Sequence, residues 1–239
     1  MFCQQYLAIQ PASDARSCVF VVLAILLCYM AELKIKRDPL GTRRRILDAA
    51  TEEFTSAGLS GARVDQIAKR ALTNERMLYY YFGSKEQLFA TVLEQAYTAF
   101  TDAESSIGLP TDAPVAAMTR LVHSIWDFYR DHPELLRLIN NENMHEARYL
   151  KRSGAVRESM KPVLSRIASI LAAGEKAGVF RAGVDPAILF TSISALGYYV
   201  VSNRYTLEAS LGRDFTVGAE REAALKLNTE MLLAYLTKA

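Results

Sequence analysis

From Thr42 to the end of the chain, apolar residues recur at intervals of three and four, and strand-like alternation is confined to short β-branched runs inside those periods. That spacing suits helices, so an all-α fold is expected. The first stripe is Ile46, Leu47, Ala50, Phe54 and Ala57, and Gly58 stands where a left-handed C-terminal cap is expected. Two short helices follow, Val64 to Arg70 and Asn74 to Phe82, turning inward Val64, Ile67 and Ala68 and then Leu78 and Phe82. Ser84, with Glu86 and Gln87 behind it, starts a longer helix carrying Leu88, Val92, Leu93, Ala96 and Phe100. Further helices are predicted over 113–131, 133–146, 150–177, 186–205 and 218–237.

Residues 1–35 break the pattern and read as an apolar N-terminal extension. From Cys18 to Ala31 the chain runs CVFVVLAILLCYMA, fourteen residues without a charge. A spanning helix needs about twenty apolar residues, so this run is short for an anchor. A signal peptide would have a clearly positive leader and a small-residue cleavage site, which are missing here. Two further readings are an extra packed helix and a true start at Met30. The three cysteines, Cys3, Cys18 and Cys28, all fall in this segment, so no disulfide framework holds the rest together and a reducing, cytoplasmic setting is expected.

A formal net charge of +2 excludes a polycation that coats nucleic acid or anionic lipid without discrimination. The charge is unevenly placed. Residues 36–90 carry ten Lys or Arg against seven Asp or Glu, whereas residues 91–239 carry sixteen against seventeen. A small basic unit beside a near-neutral body is the footprint of a nucleic-acid reader with a separate second task.

The segment from Val64 to Phe82 sharpens that reading. Two amphipathic helices joined by about three residues have helix-turn-helix geometry, in which the N-terminal half of the second helix enters the major groove. Asn74 can cap that helix. Tyr79, Tyr80 and Tyr81 are consecutive, and neighbours on a helix point about 100° apart, so some of their hydroxyls must face outward.

With its basic lead-in, the pattern A-x-x-x-F-x-x-x-G, then I-A-x-x-A, then L-Y-Y-Y-F-x-S-K-E-x-L closely resembles the DNA-binding domain of TetR-family transcriptional regulators. The resemblance implies a helix-turn-helix domain over 36–84 and a larger helical domain over 85–239 that binds a ligand and dimerises. It further implies a homodimeric repressor that leaves a palindromic double-stranded DNA operator when a small molecule binds, with no cofactor. By position it places Arg43, Arg44, Arg63, Asn74, Glu75, Arg76, Tyr79, Tyr80 and Lys85 at DNA. Leu72 stands where the family usually has Gly, Thr73 where it has an apolar residue, and Glu75 where Lys is common. If residues 18–31 insert in a membrane, the same reader becomes a tethered regulator.

In the larger part, Leu189, Ile193, Leu196 and Val200 on one helix and Leu225, Met231, Leu232 and Tyr235 on the next are expected to form a four-helix dimer seam. Polar and aromatic residues on otherwise apolar stretches, Trp126, Tyr129, Asn140, Asn143, Met144, His145, Tyr198 and Tyr199, are expected around the ligand. Glu142-x-x-His145 is half of a di-iron bundle motif, but with three His in the chain and no second copy, a metal site is not expected. No Ser-His-Asp spacing, P-loop or dinucleotide fingerprint appears, so no catalytic residues are expected.

Overall fold

Buried side chains on the first helix fall at Ile46, Leu47, Ala49, Ala50, Glu53 and Phe54, and this stripe organises everything packed against it. The structure is a computed structural model that describes residues 38–237 apart from Thr111. The expectations for residues 1–35, including a start at Met30 and an anchor at 18–31, lie outside the described residues. Among the described residues ten α-helices follow one another: α1 Pro39–Gly61, α2 Val64–Arg70, α3 Glu75–Phe82, α4 Lys85–Ser106, α5 Pro114–Asp131, α6 Pro133–Met144, α7 Gly154–Lys176, α8 Pro186–Ser202, α9 Arg204–Leu211 and α10 Gly218–Leu236. Among the described residues no helix is long and apolar enough to cross a membrane.

Two apolar cores form. The first joins α1, α2, α3 and the start of α4 through Phe54, Ile67, Leu78, Leu88 and Phe89, with Phe54 and Phe89 edge to face at 5.1 Å. Residues from far along the chain enter it: Leu138 of α6 is fully buried there, and Tyr149 and Leu150 pack against it. The second core gathers the end of α4 with α5, α6, α7, α8 and α10 around Phe100, Leu121, Ile125, Leu136, Ile167, Ile193 and Leu236. Helix α4 therefore contributes Leu88 to Leu93 to one core and Phe100 to the other.

Local chemistry accounts for the helix ends. Gly58 departs from helical geometry at φ 66°, and the chain closes one more turn to Gly61, burying Leu59. The turn after α2 closes with Thr73 N–H donating to Ala68 O (3.0 Å) and Leu72 N–H to Lys69 O (3.2 Å), a Schellman motif. Leu72 holds its left-handed position at φ 51°. A side chain there crowds the backbone by about 1–2 kcal/mol, a cost that glycine avoids. Leu72 is 84% exposed, so its side chain returns little packing energy. Leu72→Gly is expected to stabilise the fold by about 1 kcal/mol, read as a melting-temperature rise of roughly 2–4 °C.

Three predicted helices differ from those observed. The one expected over 186–205 stops at Ser202, where the Asn203 side chain donates back to Tyr199 O (3.0 Å) and α9 begins a separate course ended by left-handed Gly212. The one expected from 150 begins at Gly154, behind a 3-10 turn over Leu150–Arg152. The one expected to reach 146 stops at Met144, because Glu146 and Ala147 both take left-handed angles. At the start of α8 the sequence reads truly. Pro186 occupies the first turn and Asp185 Oδ1 accepts from Ala187 N–H (2.8 Å) and Ile188 N–H (3.0 Å).

Candidate nucleic-acid interface and effector core

Helix α3 is held by Asn74, whose Oδ1 accepts from Met77 N–H at 3.0 Å. Leu78 and Phe82 turn inward, so Glu75, Arg76, Tyr79 and Tyr80 stand exposed on the opposite side. Tyr80 is 76% exposed. Tyr81 instead packs against the first core, its ring 5.2 Å from that of Tyr80. At the next helix start Ser84 Oγ accepts from Gln87 N–H (3.1 Å), and Lys85 occupies the first turn. Arg63, at the head of α2, is exposed and paired with Asp65 at 2.9 and 3.1 Å. Those hydrogen bonds raise the Arg63 guanidinium above its usual range and hold the Asp65 carboxyl below its own. Arg43 and Arg44 are exposed on α1, with Arg44 4.0 Å from Asp48.

Sequence reasoning missed the residue that orients α2. Glu53 is buried on α1; its Oε1 accepts from Arg63 N–H (3.1 Å) and its Oε2 lies 3.3 Å from the Arg70 guanidinium. One carboxylate thus ties down both ends of the helix. Its signal was an acid beside Phe54 within the apolar stripe.

The second core holds an unusual amount of polar chemistry. Helices α5 and α8 run antiparallel: the Trp126 indole lies against Gly197, and the Tyr129 hydroxyl beside Ser194. Glycine at 197 is required by that approach, since an added Cβ would come within 3.0 Å of Trp126 Nε1. Burial pushes the Tyr129 hydroxyl up to about 12. Glu104 of α4, buried, accepts from Ser124 Oγ at 2.8 Å. Burial raises its carboxyl, with the Ser124 hydrogen bond and the Arg166 charge acting in the other direction. The donors of Arg166 go to the main-chain oxygens of Glu104 and Ile107, closing the end of α4. Among the described residues two buried atoms here have no hydrogen-bond partner, Glu104 Oε2 and Trp126 Nε1.

Of the residues expected around a ligand, Trp126 and Tyr129 lie in this core, and Asn140 and Tyr198 bond to one another at its edge. Three do not belong to the interior. Met144 is 83% exposed, and Asn143 and Tyr199 are exposed as well, because α6 and α8 turn those positions outward. His145 is half-buried beyond the end of α6. The companion Glu142 serves a structural role, its Oε1 accepting from Tyr149 N–H (2.7 Å) and Leu150 N–H (2.8 Å).

Adjacent residues on α6 bond in different directions. Asn140 accepts from the Tyr198 hydroxyl and donates to Ser202 Oγ (2.7 Å), both on α8. Asn141 Oδ1 accepts from Leu59 N–H (3.1 Å), at the end of α1.

The residues expected in the dimer seam divide by exposure. Leu189, Ile193, Leu225 and Leu232 are buried in the chain's own core, and Leu196 and Val200 pack against it, so these side chains are already covered. The apolar face left open consists of Ile188, Ala195 and Tyr199 on α8 and Ala223, Leu227, Met231 and Tyr235 on α10. Only Met231 and Tyr235 of the expected set are on it.

Comparison with known proteins finds two family models along the chain. Residues 46–92 match the model described as bacterial regulatory proteins, tetR family, and residues 114–232 the one described as tetracyclin repressor-like, C-terminal domain. The transcriptional repressor NicS of Pseudomonas putida is 38% identical over 173 residues, covering 72% of this chain and 82% of that protein. The transcriptional regulator RutR of Escherichia coli K12 is 29% identical over 179 residues, covering 75% and 82%. A solved structure of a transcriptional regulator from Streptomyces coelicolor superposes with a TM-score of 0.60 at 25% identity, covering 82% of this chain and 98% of that one.

Proposed function

This chain belongs to the TetR family of transcriptional regulators, and from that premise we propose that it is a cytoplasmic homodimeric repressor that leaves a palindromic operator when a small molecule binds. The observation that carries the reading is the outward face of α3, where Glu75, Arg76, Tyr79 and Tyr80 stand together just before Lys85. Arg76 and the tyrosine hydroxyls supply donors for phosphates and base edges, and Glu75 an acceptor for a cytosine amino group. Lys85 adds its charge to the positive end of α4, which favours a phosphate there. In this reading residues 36–84 read DNA, and residues 85–239 bind the effector and pair the subunits.

The second copy covers the open face of α8 and α10. Helix α8 has no charged residue from Pro186 to Ser202, yet one side of it has no cover among the described residues. A helix apolar all round is normally buried. Pairing places two α3 helices about 34–36 Å apart, one turn of DNA. An effector that binds better when they are farther apart lowers operator affinity by its differential binding energy, typically about 1–3 kcal/mol.

Lys85→Ala tests the interface. Each phosphate contact contributes about 0.9 to the slope of log affinity against log salt, so the slope is expected to flatten by about one for each subunit. Operator binding measured between about 50 and 200 mM salt gives the answer, and an unchanged slope removes Lys85 from the contacts.

A further inference from the structure

The partnerless groups of the second core define what the effector must carry. Glu104 is 1% exposed and one of its two carboxylate oxygens lacks a donor. Arg166, the nearest cation, spends its hydrogen bonds on two main-chain oxygens. A buried acceptor left unmatched is costly, and more so when charged, so a donor brought by a ligand recovers energy that this chain leaves unclaimed. The surroundings are aromatic. Phe100 lies 5.1 Å from Phe128, 6.1 Å from Tyr129 in a stacked arrangement and 6.2 Å from Phe190, with Tyr129 electrostatically coupled to Glu104. Aromatic faces attract cations, most strongly away from water.

Resting on the regulator reading above, we infer that the effector is a small organic cation, an amine or amidine, whose N–H group pairs with Glu104 Oε2 among the rings of α4, α5 and α8. An anionic effector would instead meet the Glu104 carboxylate in a medium that screens it poorly.

The chain supplies its own reporter, because Trp126 is its one tryptophan. Titrating the full-length protein with benzamidine, benzamide and benzoate, three probes of one shape and different charge, compares the classes by Trp126 fluorescence. Benzamidine is expected to bind at least about tenfold more tightly than either relative, a difference of about 1.4 kcal/mol. Glu104→Gln, which keeps an acceptor for Ser124, is expected to erase that preference. Equal or tighter binding of benzamide or benzoate overturns the inference, as does silence from all three or a preference that survives in Glu104→Gln. The wild-type comparison decides alone if the variant fails to fold. Operator binding is measured on the same preparation: sequence-preferring DNA binding without cation preference defeats only this inference, whereas no sequence preference defeats the regulator reading.

Discussion

Leu227→Glu combined with Met231→Glu is expected to convert the proposed dimer to a monomer and to lower operator affinity by at least about 100-fold. Both positions are more than half exposed in the single chain, at 57% and 54%, so the carboxylates leave the subunit's own core intact. In the dimer the twofold axis brings four new carboxylates into an apolar seam. Burying unpaired charge costs several kcal/mol even after relaxation. Joining two half-site readers raises overall affinity by roughly 10² to 10⁴ over one, and the monomer forfeits that gain. Light scattering reads the mass and a labelled operator fragment the affinity. A double variant that stays dimeric at micromolar concentration rejects this face. The proposed face makes a second forecast: Leu225→Glu and Leu232→Glu, aimed at side chains in the core, are expected to unfold the subunit rather than separate two of them.

The contrast between those faces shows where the sequence stops being informative. Periodicity revealed nearly every helix because the core stripes run unbroken through α1, α4 and α5. It could not choose a face on α8, where both sides are apolar, and burial of Leu189 and Ile193 settles it in favour of the subunit core. The start of α9 was hidden because the break at Ser202-Asn203-Arg204 carries neither Gly nor Pro to mark a helix end. Outward positions on α3 were legible from one neighbourhood, with Leu78 and Phe82 fixing the inward side. The polar core was only half legible. Trp126 and Tyr129 stand out as large amphipathic residues on a buried stripe, whereas Glu104 reads as surface until its place four residues after Phe100 is recognised as the same inward face. Leu72 shows a local rule overridden: the Schellman turn is made with leucine in the glycine position.

Leu138→Ala is expected to cost about 3 kcal/mol, within the range of roughly 2–5 kcal/mol for emptying a buried leucine site, and to lower the melting temperature by about 6–12 °C. The position is exceptional because Leu138 belongs to α6 but is fully buried in the first core. A hollow of about 180 Å³ already lies beside it, bounded by Thr51, Val92, Ala96, Phe128 and His132, so truncation enlarges an existing space. Loss of the wedge loosens the first core from α6 and weakens operator binding along with stability. Asn141→Ala separates coupling from stability, since it removes one hydrogen bond to Leu59 N–H, worth about 1 kcal/mol, and leaves the core filled. Because Asn140 bonds to α8 and Asn141 to the end of α1, α6 links the second core to the helix that leads into α2 and α3. Asn141→Ala is therefore expected to bind operator within about threefold of wild type while its release by effector weakens several-fold. Operator affinity with and without a saturating effector measures both; an undiminished ratio assigns the coupling to α4, the other helix shared by the two cores.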